Sequence, residues 1–325
     1  INPGNHGFGT AMSTDGDTIA IGATTHSTQQ RGSGSVFLYE KTIQGWVPGS
    51  HITTPDYISG DPSNGFSYAL AIDGDSLLVG APVDGDQASY AGAAYAFRRM
   101  PQGWQYIQKL IGTEVNERDN FGTTIAIKGN VAVIGAPIHQ TPDAEPGAAY
   151  VFAFDQGTWA QTARLTAPSH SDLEDFAYDV TMQEGLIGVG APSRRTAING
   201  FAYLFQESHG EWKHIQTMQP ASGSSTFGGT VALAGDRFAI SDGEEEPTLY
   251  VRGAERWQQV AQIALSQPWS EIYYGDRIAA STATMAIDTS SSVRETPRET
   301  SRFKYASPLN RRSNPKTSES ALLKR

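Results

Sequence analysis

The sequence predicts an all-β fold, a β-propeller of four-stranded antiparallel blades, and three observations carry that reading. One stretch, Phe121-Gly122 through Gly135-Ala136-Pro137, recurs from Phe8 to Ala23, from Phe66 to Pro82, from Phe176 to Pro192 and, without its closing residues, from Phe227 to Asp242. The phenylalanines stand 58, 55, 55 and 51 residues apart, a period that signals a repeat architecture. A second marker keeps the same register: Trp46, Trp104 and Trp159 each follow their Phe by 38 residues, and Trp212 and Trp257 follow theirs by 36 and 30. Within a unit the apolar period is two, and no stretch holds a 3.6-residue stripe, so the units are strands rather than helices.

Taken in order, residues 1–7 form an entry loop and the first unit runs over 8–65. Ser35–Tyr39 is its third strand, and the fourth follows Trp46. The second unit, 66–120, shows the pattern most fully: Phe66–Ile72, Ser76–Val79, Ala94–Phe97 and Trp104–Leu110 are its four strands. The first two join through Asp73-Gly74-Asp75, a hairpin signal in which both central residues are expected at positive φ. Asp15-Gly16-Asp17, Lys128-Gly129-Asn130 and Ala234-Gly235-Asp236 take the same place. The third unit covers 121–175, and the fourth, 176–226, has Phe201–Phe205 and Trp212–Gln216 as its last strands. The fifth, 227–265, is trimmed, with strands at Leu249–Val251 and Trp257–Val260. Gly275–Ser281 repeats Gly235–Ser241 closely enough to read 267–307 as a degenerate sixth unit. The tail 308–325 is basic, polar and patternless, and reads as disordered or ordered by a partner.

The Phe-Gly opening and Gly-Ala-Pro closing of these units resemble the FG-GAP repeats of integrin α-subunit propellers over roughly residues 8–265. The resemblance implies a propeller and a habit of extracellular binding, and it carries no particular ligand. Integrin propellers have seven blades, whereas five clear units and one degenerate unit are legible here, so the ring is six-bladed or incomplete. An open ring exposes a sheet edge that invites another chain.

Composition sets bounds. The 325 residues hold 34 glycines and no cysteine, which excludes disulfides and thiolate chemistry and leaves stability to packing. No apolar run is long enough for a membrane-spanning helix. The chain opens on Ile1 with no signal-peptide pattern and reads as a processed or fragmentary chain. Of the net charge of −10, residues 289–325 contribute +6 and the rest −16, so the body repels nucleic acid and the tail suits an acidic surface.

In a propeller the 1–2 and 3–4 turns share one face and the 2–3 and 4–1 loops the other. The second set is longer here and is the candidate binding face. Its candidates are Asp56, Tyr57 and Asp61, then Asp84, Asp86 and Tyr90, then Glu117 and Asp119, then His139, Asp143 and Glu145, and finally Asp172 and Glu174. The calcium loop that the resemblance implies, Asp-x-Asp-x-Asp-Gly-x-x-Asp, is missing from the 1–2 turns, so no cofactor is expected. A cation among the acidic residues of the long loops is the remaining possibility, against plain solvated loops. The seven histidines show no metal-ligand spacing, and no hydrolase or nucleotide motif is present. The tryptophans open strand four regularly because they pack between blades. These readings favour a non-enzymatic extracellular, cell-surface or periplasmic module that engages a protein or glycan. The alternatives are a structural subunit that docks neighbours through its tail and open edge, and a lectin or propeller enzyme.

Overall fold

The alternating apolar residues become twenty strands and no helix over residues 7–26, 33–55, 64–137, 147–168, 175–193, 199–220, 223–242 and 245–262, which the computed structural model describes. The chain divides into two compact units, Ile1–Ala283 and Thr284–Arg325, and every described residue belongs to the first. The degenerate sixth repeat and the tail lie outside the described residues.

The strands fall into five four-stranded antiparallel sheets in plain meander order. Blade one is β1 (Phe8–Thr14), β2 (Thr18–Ala23), β3 (Ser35–Thr42) and β4 (Gly45–Thr53). Blade two is β5 (Leu70–Asp73), β6 (Ser76–Ala81), β7 (Ala93–Met100) and β8 (Gly103–Leu110). Blade three is β9 (Thr124–Lys128), β10 (Val131–Ala136), β11 (Ala148–Asp155) and β12 (Thr158–Leu165). Blade four is β13 (Asp179–Gln183), β14 (Leu186–Ala191), β15 (Phe201–Ser208) and β16 (Glu211–Met218). Blade five is β17 (Phe227–Ala234), β18 (Arg237–Asp242), β19 (Glu245–Arg252) and β20 (Trp257–Gln262). The sheets do not close on themselves as barrels, and the architecture is that of a β-propeller.

Two local expectations are corrected. The first strand of blade two starts at Leu70 rather than Phe66, because Ser67 at φ +74° turns the chain between the phenylalanine and the strand. The hairpin Asp73-Gly74-Asp75 has positive φ at Gly74 alone, which is the II′ pattern, with glycine at the first central position. Positive φ at both central residues occurs instead in the 3–4 turns of blades three and four, at Gln156-Gly157 and His209-Gly210.

The repeat's signature is a seam between blades. The residue after the repeat's phenylalanine has positive φ in all five units: Gly9, Ser67, Gly122, Ala177 and Gly228. In the last four, its carbonyl runs onto the glycine that nearly ends strand two of the preceding blade. A Cβ built at Gly80 would sit 2.0 Å from the Gly122 oxygen, and one at Gly190 would sit 2.1 Å from that of Gly228. No side chain fits in that space, so the motif is a steric requirement of blade packing. The phenylalanines themselves, Phe66, Phe121, Phe176 and Phe227, are fully buried.

Each apolar core lies between two consecutive sheets. Leu78, Ala94 and Ala96 of blade two pack with Phe121, Ile134, Tyr150 and Trp159 of blade three. Trp257 likewise joins Leu186 and Leu204 of blade four. Trp159 and Trp257 therefore pack onto the preceding blade, and side chains on strand four reinforce this. Gln108 donates to the Trp159 carbonyl at 3.0 Å and accepts its N–H at 2.9 Å, and Gln216 does the same for Trp257 at 2.8 Å in both directions.

Candidate functional site

The long-loop face is best defined at blade two, where the 2–3 connection over 82–92 meets the 4–1 connection over 111–120. The chain enters the first through Pro82, and Asp84 turns it back. The Asp84 N–H donates to the Ala81 carbonyl at 3.1 Å, its carbonyl accepts the Gly92 N–H at 2.9 Å, and its Oδ1 accepts the Asp86 N–H at 3.2 Å. Only 5% of Asp84 is exposed. A buried carboxylate needs partners, and two strands supply them. From β7, the Tyr95 hydroxyl donates to Oδ2 at 2.7 Å. From β8, Lys109 Nζ donates to Oδ1 at 3.0 Å and reaches Asp86 Oδ2 as well. Tyr95 and Lys109 stand directly opposite each other in the β7–β8 register, which aims both at the same loop. Asn64, just ahead of Phe66, lies 3.4 Å from the Tyr95 hydroxyl while its Oδ1 accepts the Phe66 N–H at 3.0 Å.

The electrostatics follow from this enclosure. Burial raises the Tyr95 pKa, and the negative Asp84 beside it raises it further. Burial alone would lower the Lys109 pKa. The hydrogen bond to Asp86, the Tyr95 side chain and the bond to Asp84 outweigh it, so the ammonium is held charged above its ordinary range. The acidic pair Asp84 and Asp86, read from the sequence as candidate cation ligands, is thus bridged by a lysine ammonium.

The second loop is stitched to the first through its backbone. The N–H groups of Arg118, Asn120 and Phe121 donate to the carbonyls of Ser89, Tyr90 and Ala91 at 2.9, 3.1 and 2.9 Å. Asn120 Nδ2 adds a bond to the Pro82 carbonyl at 3.0 Å, and Asp119 Oδ2 accepts the Asn116 N–H at 2.7 Å. Tyr90, Arg118 and Asn120 all take positive φ, a cost for bulky residues that this network offsets. The result is a rigid rim on which Tyr90 is 51% exposed, beside an exposed Glu117–Arg118 pair 3.6 Å apart.

The register repeats this arrangement in the other blades with different chemistry. Phe37 faces His51 in blade one, Tyr150 faces Arg164 in blade three and Tyr203 faces Thr217 in blade four. In blade one His51 stacks on Phe37 at 4.5 Å, and His26, at the position of Asp84, lies edge-on to both. Burial, then the neighbouring His26, lowers the His51 pKa. In blade three burial raises the Tyr150 pKa, with Arg164 opposing, and Arg164 Nε lies 3.3 Å from Glu114.

Of the residues the sequence singled out, Asp84, Asp86, Tyr90, Glu117 and Asp119 are brought together here. Asp56, Tyr57, Asp61, His139, Asp143, Glu145, Asp172 and Glu174 lie outside the described residues. Sequence reasoning missed Tyr95, Lys109 and Arg118. The signal for the first two was the aromatic residue of strand three matched, in each of the first three units, with a cationic or histidine residue near the end of strand four.

At the other end of the sheets, the turn carboxylates serve the turns. Asp15 Oδ1 accepts the N–H groups of Asp17 and Thr18 at 3.1 and 2.7 Å, and Asp73 takes Lys128 Nζ and the Gly129 N–H of the next blade at 3.0 and 2.6 Å. Among the described residues no group of three or more His, Asp and Glu is placed to hold a metal ion, and no helix is long and apolar enough to cross a membrane.

No curated protein matches the chain. Residues 46–97 and 104–152 match the family model described as the FG-GAP repeat, a span that includes the Gly-Ala-Pro strand end of blade two and the Phe-Gly turn of blade three that meet at the seam. The chain therefore carries FG-GAP repeats over these residues, and its five four-stranded antiparallel sheets form the β-propeller architecture that such repeats build.

Proposed function

We infer that this propeller is a non-enzymatic binding or adhesion module of the extracellular space or cell surface, and that it engages a protein or glycan through its 2–3 and 4–1 loops. FG-GAP repeats are typical of extracellular binding proteins, which supports the compartment and the general role. The observation that carries the site is the rim at blade two. An exposed tyrosine and an exposed arginine, residue types that dominate binding hot spots, are presented on backbone that is already ordered before any partner arrives. The acidic and cationic groups beneath them satisfy one another, which suits a supporting layer better than a set of reactive groups.

The test is binding of the purified chain to arrays of immobilised glycans and extracellular-matrix proteins, with Tyr90→Ser and Arg118→Ser compared with the parent. The reading expects a probe whose binding weakens by about tenfold or more in each variant at unchanged melting temperature. A bound probe indifferent to both substitutions and sensitive to changes at the hairpin face, such as Gln156→Ala, would overturn it.

A further inference from the structure

The tripeptide Asn-Gly-Phe occurs twice, at Asn64-Gly65-Phe66 and Asn199-Gly200-Phe201, and no other asparagine in the chain is followed by glycine. An asparagine in that position can close on itself, because a glycine has no Cβ to keep its nitrogen away from the side-chain carbonyl carbon. Identical local sequence gives the two sites the same intrinsic reactivity, so any difference between them is set by the fold.

At Asn64 the fold favours the closure. The Asn64 Oδ1 accepts the Phe66 N–H at 3.0 Å. That bond is an Asx turn, and it folds the side chain back over the intervening Gly65 peptide. It also supplies a donor at the oxygen on which negative charge develops when the carbonyl carbon is attacked. Gly65 sits at φ +74°, and its own N–H donates to no partner among the described residues. The leaving nitrogen, Nδ2, lies 3.4 Å from both the Thr54 and the Tyr95 hydroxyls, contacts too long to hold it firmly.

At Asn199 the fold opposes it. The Gly200 N–H donates to the Ser224 carbonyl at 2.7 Å, so a nitrogen that gave up its proton would face an oxygen. A Cβ at Gly200 would meet the Phe227 oxygen at 2.1 Å, which fixes this glycine against blade five with no room to swing towards its neighbour's side chain.

We propose that Asn64 is a site of spontaneous deamidation in the folded protein and that Asn199 is shielded from it. The Gly65 nitrogen bonds to the Asn64 Cγ, the Cγ–Nδ2 bond breaks, and Nδ2 departs as ammonia with the former Gly65 amide proton. Solvent water then opens the cyclic imide at either carbonyl and leaves aspartate or isoaspartate at position 64. Aspartate puts a carboxylate beside the Tyr95 hydroxyl, which already donates to Asp84. Isoaspartate lengthens the main chain where the Val83 N–H donates to the Asn64 carbonyl at 3.2 Å. Either product disturbs the joint between the 4–1 connection that ends at Asn64 and the 2–3 loop of blade two.

Peptide mapping by mass spectrometry tests it, following amide-to-carboxylate conversion at both sites while the full chain is held folded at mildly alkaline pH. A parallel sample in urea supplies the unfolded rates to which both sites are normalised. In the folded chain Asn64 is expected to convert about tenfold faster than Asn199, the scale of one protecting hydrogen bond. The acidic species separated by ion exchange is expected to vanish in Asn64→Gln, whose longer side chain closes the larger ring poorly, and to persist in Asn199→Gln. Conversion of Asn64 no faster than that of Asn199, or none while the urea sample converts, would overturn the proposal. So would an acidic species left undiminished by Asn64→Gln.

Discussion

Lys109 shows how one residue can pair off two carboxylates beneath an exposed rim. Its ammonium lies between Asp84 and Asp86 with 14% of its side chain exposed, and the Asp84 side chain is 6% exposed. Removing one partner of a buried pair leaves the other charged and unpaired, so Lys109→Met is expected to lower stability by about 3 kcal/mol in urea titrations. Asp84→Asn combined with Lys109→Met should recover part of that loss. The same cluster sets an alkaline limit. Tyr95 and Lys109 hold their protons more tightly folded than unfolded, so their contribution is complete below the ordinary tyrosine value of 10.0 and is lost as pH rises towards their folded values. The melting temperature should therefore fall above about pH 10, and less steeply in Tyr95→Phe. His51 acts in the other direction. Its pKa is lowered from 6.5, so the unfolded chain takes the proton first and stability drops as pH falls below that value. His51→Phe should flatten the acid limb of a melting-temperature profile.

The seam between sheets is the element on which the fold depends, and its glycines divide into two kinds. Gly80 packs against the Gly122 oxygen, where a Cβ would come within 2.0 Å of backbone that cannot step aside. Gly9 has open space but a left-handed φ of +88°. Gly80→Ala is thus expected to cost roughly 3 kcal/mol through overpacking. Gly9→Ala should cost about 1 kcal/mol through backbone strain alone. Chemical denaturation of the two variants side by side checks this, and equal losses would mean that conformation rather than packing governs the motif. The Gly-Ala-Pro pattern was visible in the sequence as a marker of period, but its steric role was not, because the contact joins residues of different units. The turn chemistry was half legible: Gly74 at positive φ follows from local sequence, whereas the II′ geometry depends on the register of β5 against β6.

At the scale of the molecule, each blade packs mainly on its two neighbours in sequence, with one apolar cluster at each of the four seams. Stability in such an array is close to a sum of unit and interface contributions, so blades with two described seams should open last. Hydrogen exchange is expected to protect β6, β10 and β14 most, and β2 of blade one less, because no other described blade covers Phe8 and Trp46 on its outer side. Uniform protection across β2 and β10 would instead indicate that blade one is covered in solution. Sequence alone determined the all-β class, the repeat period, the meander of four strands and the tryptophan register, because these are local patterns copied five times and each copy confirms the others. It also placed Asp84, Asp86, Tyr90, Glu117 and Asp119 on one face, since loop position follows from strand order. Only the tertiary structure decided that Lys109 neutralises the acidic pair, that Tyr90 and Arg118 share one rigid rim, and that the Phe-Gly turn and the Gly-Ala-Pro corner are the two halves of one joint. Those facts rest on distances between residues 23 to 42 positions apart, which antiparallel pairing and blade packing set and which no local pattern encodes.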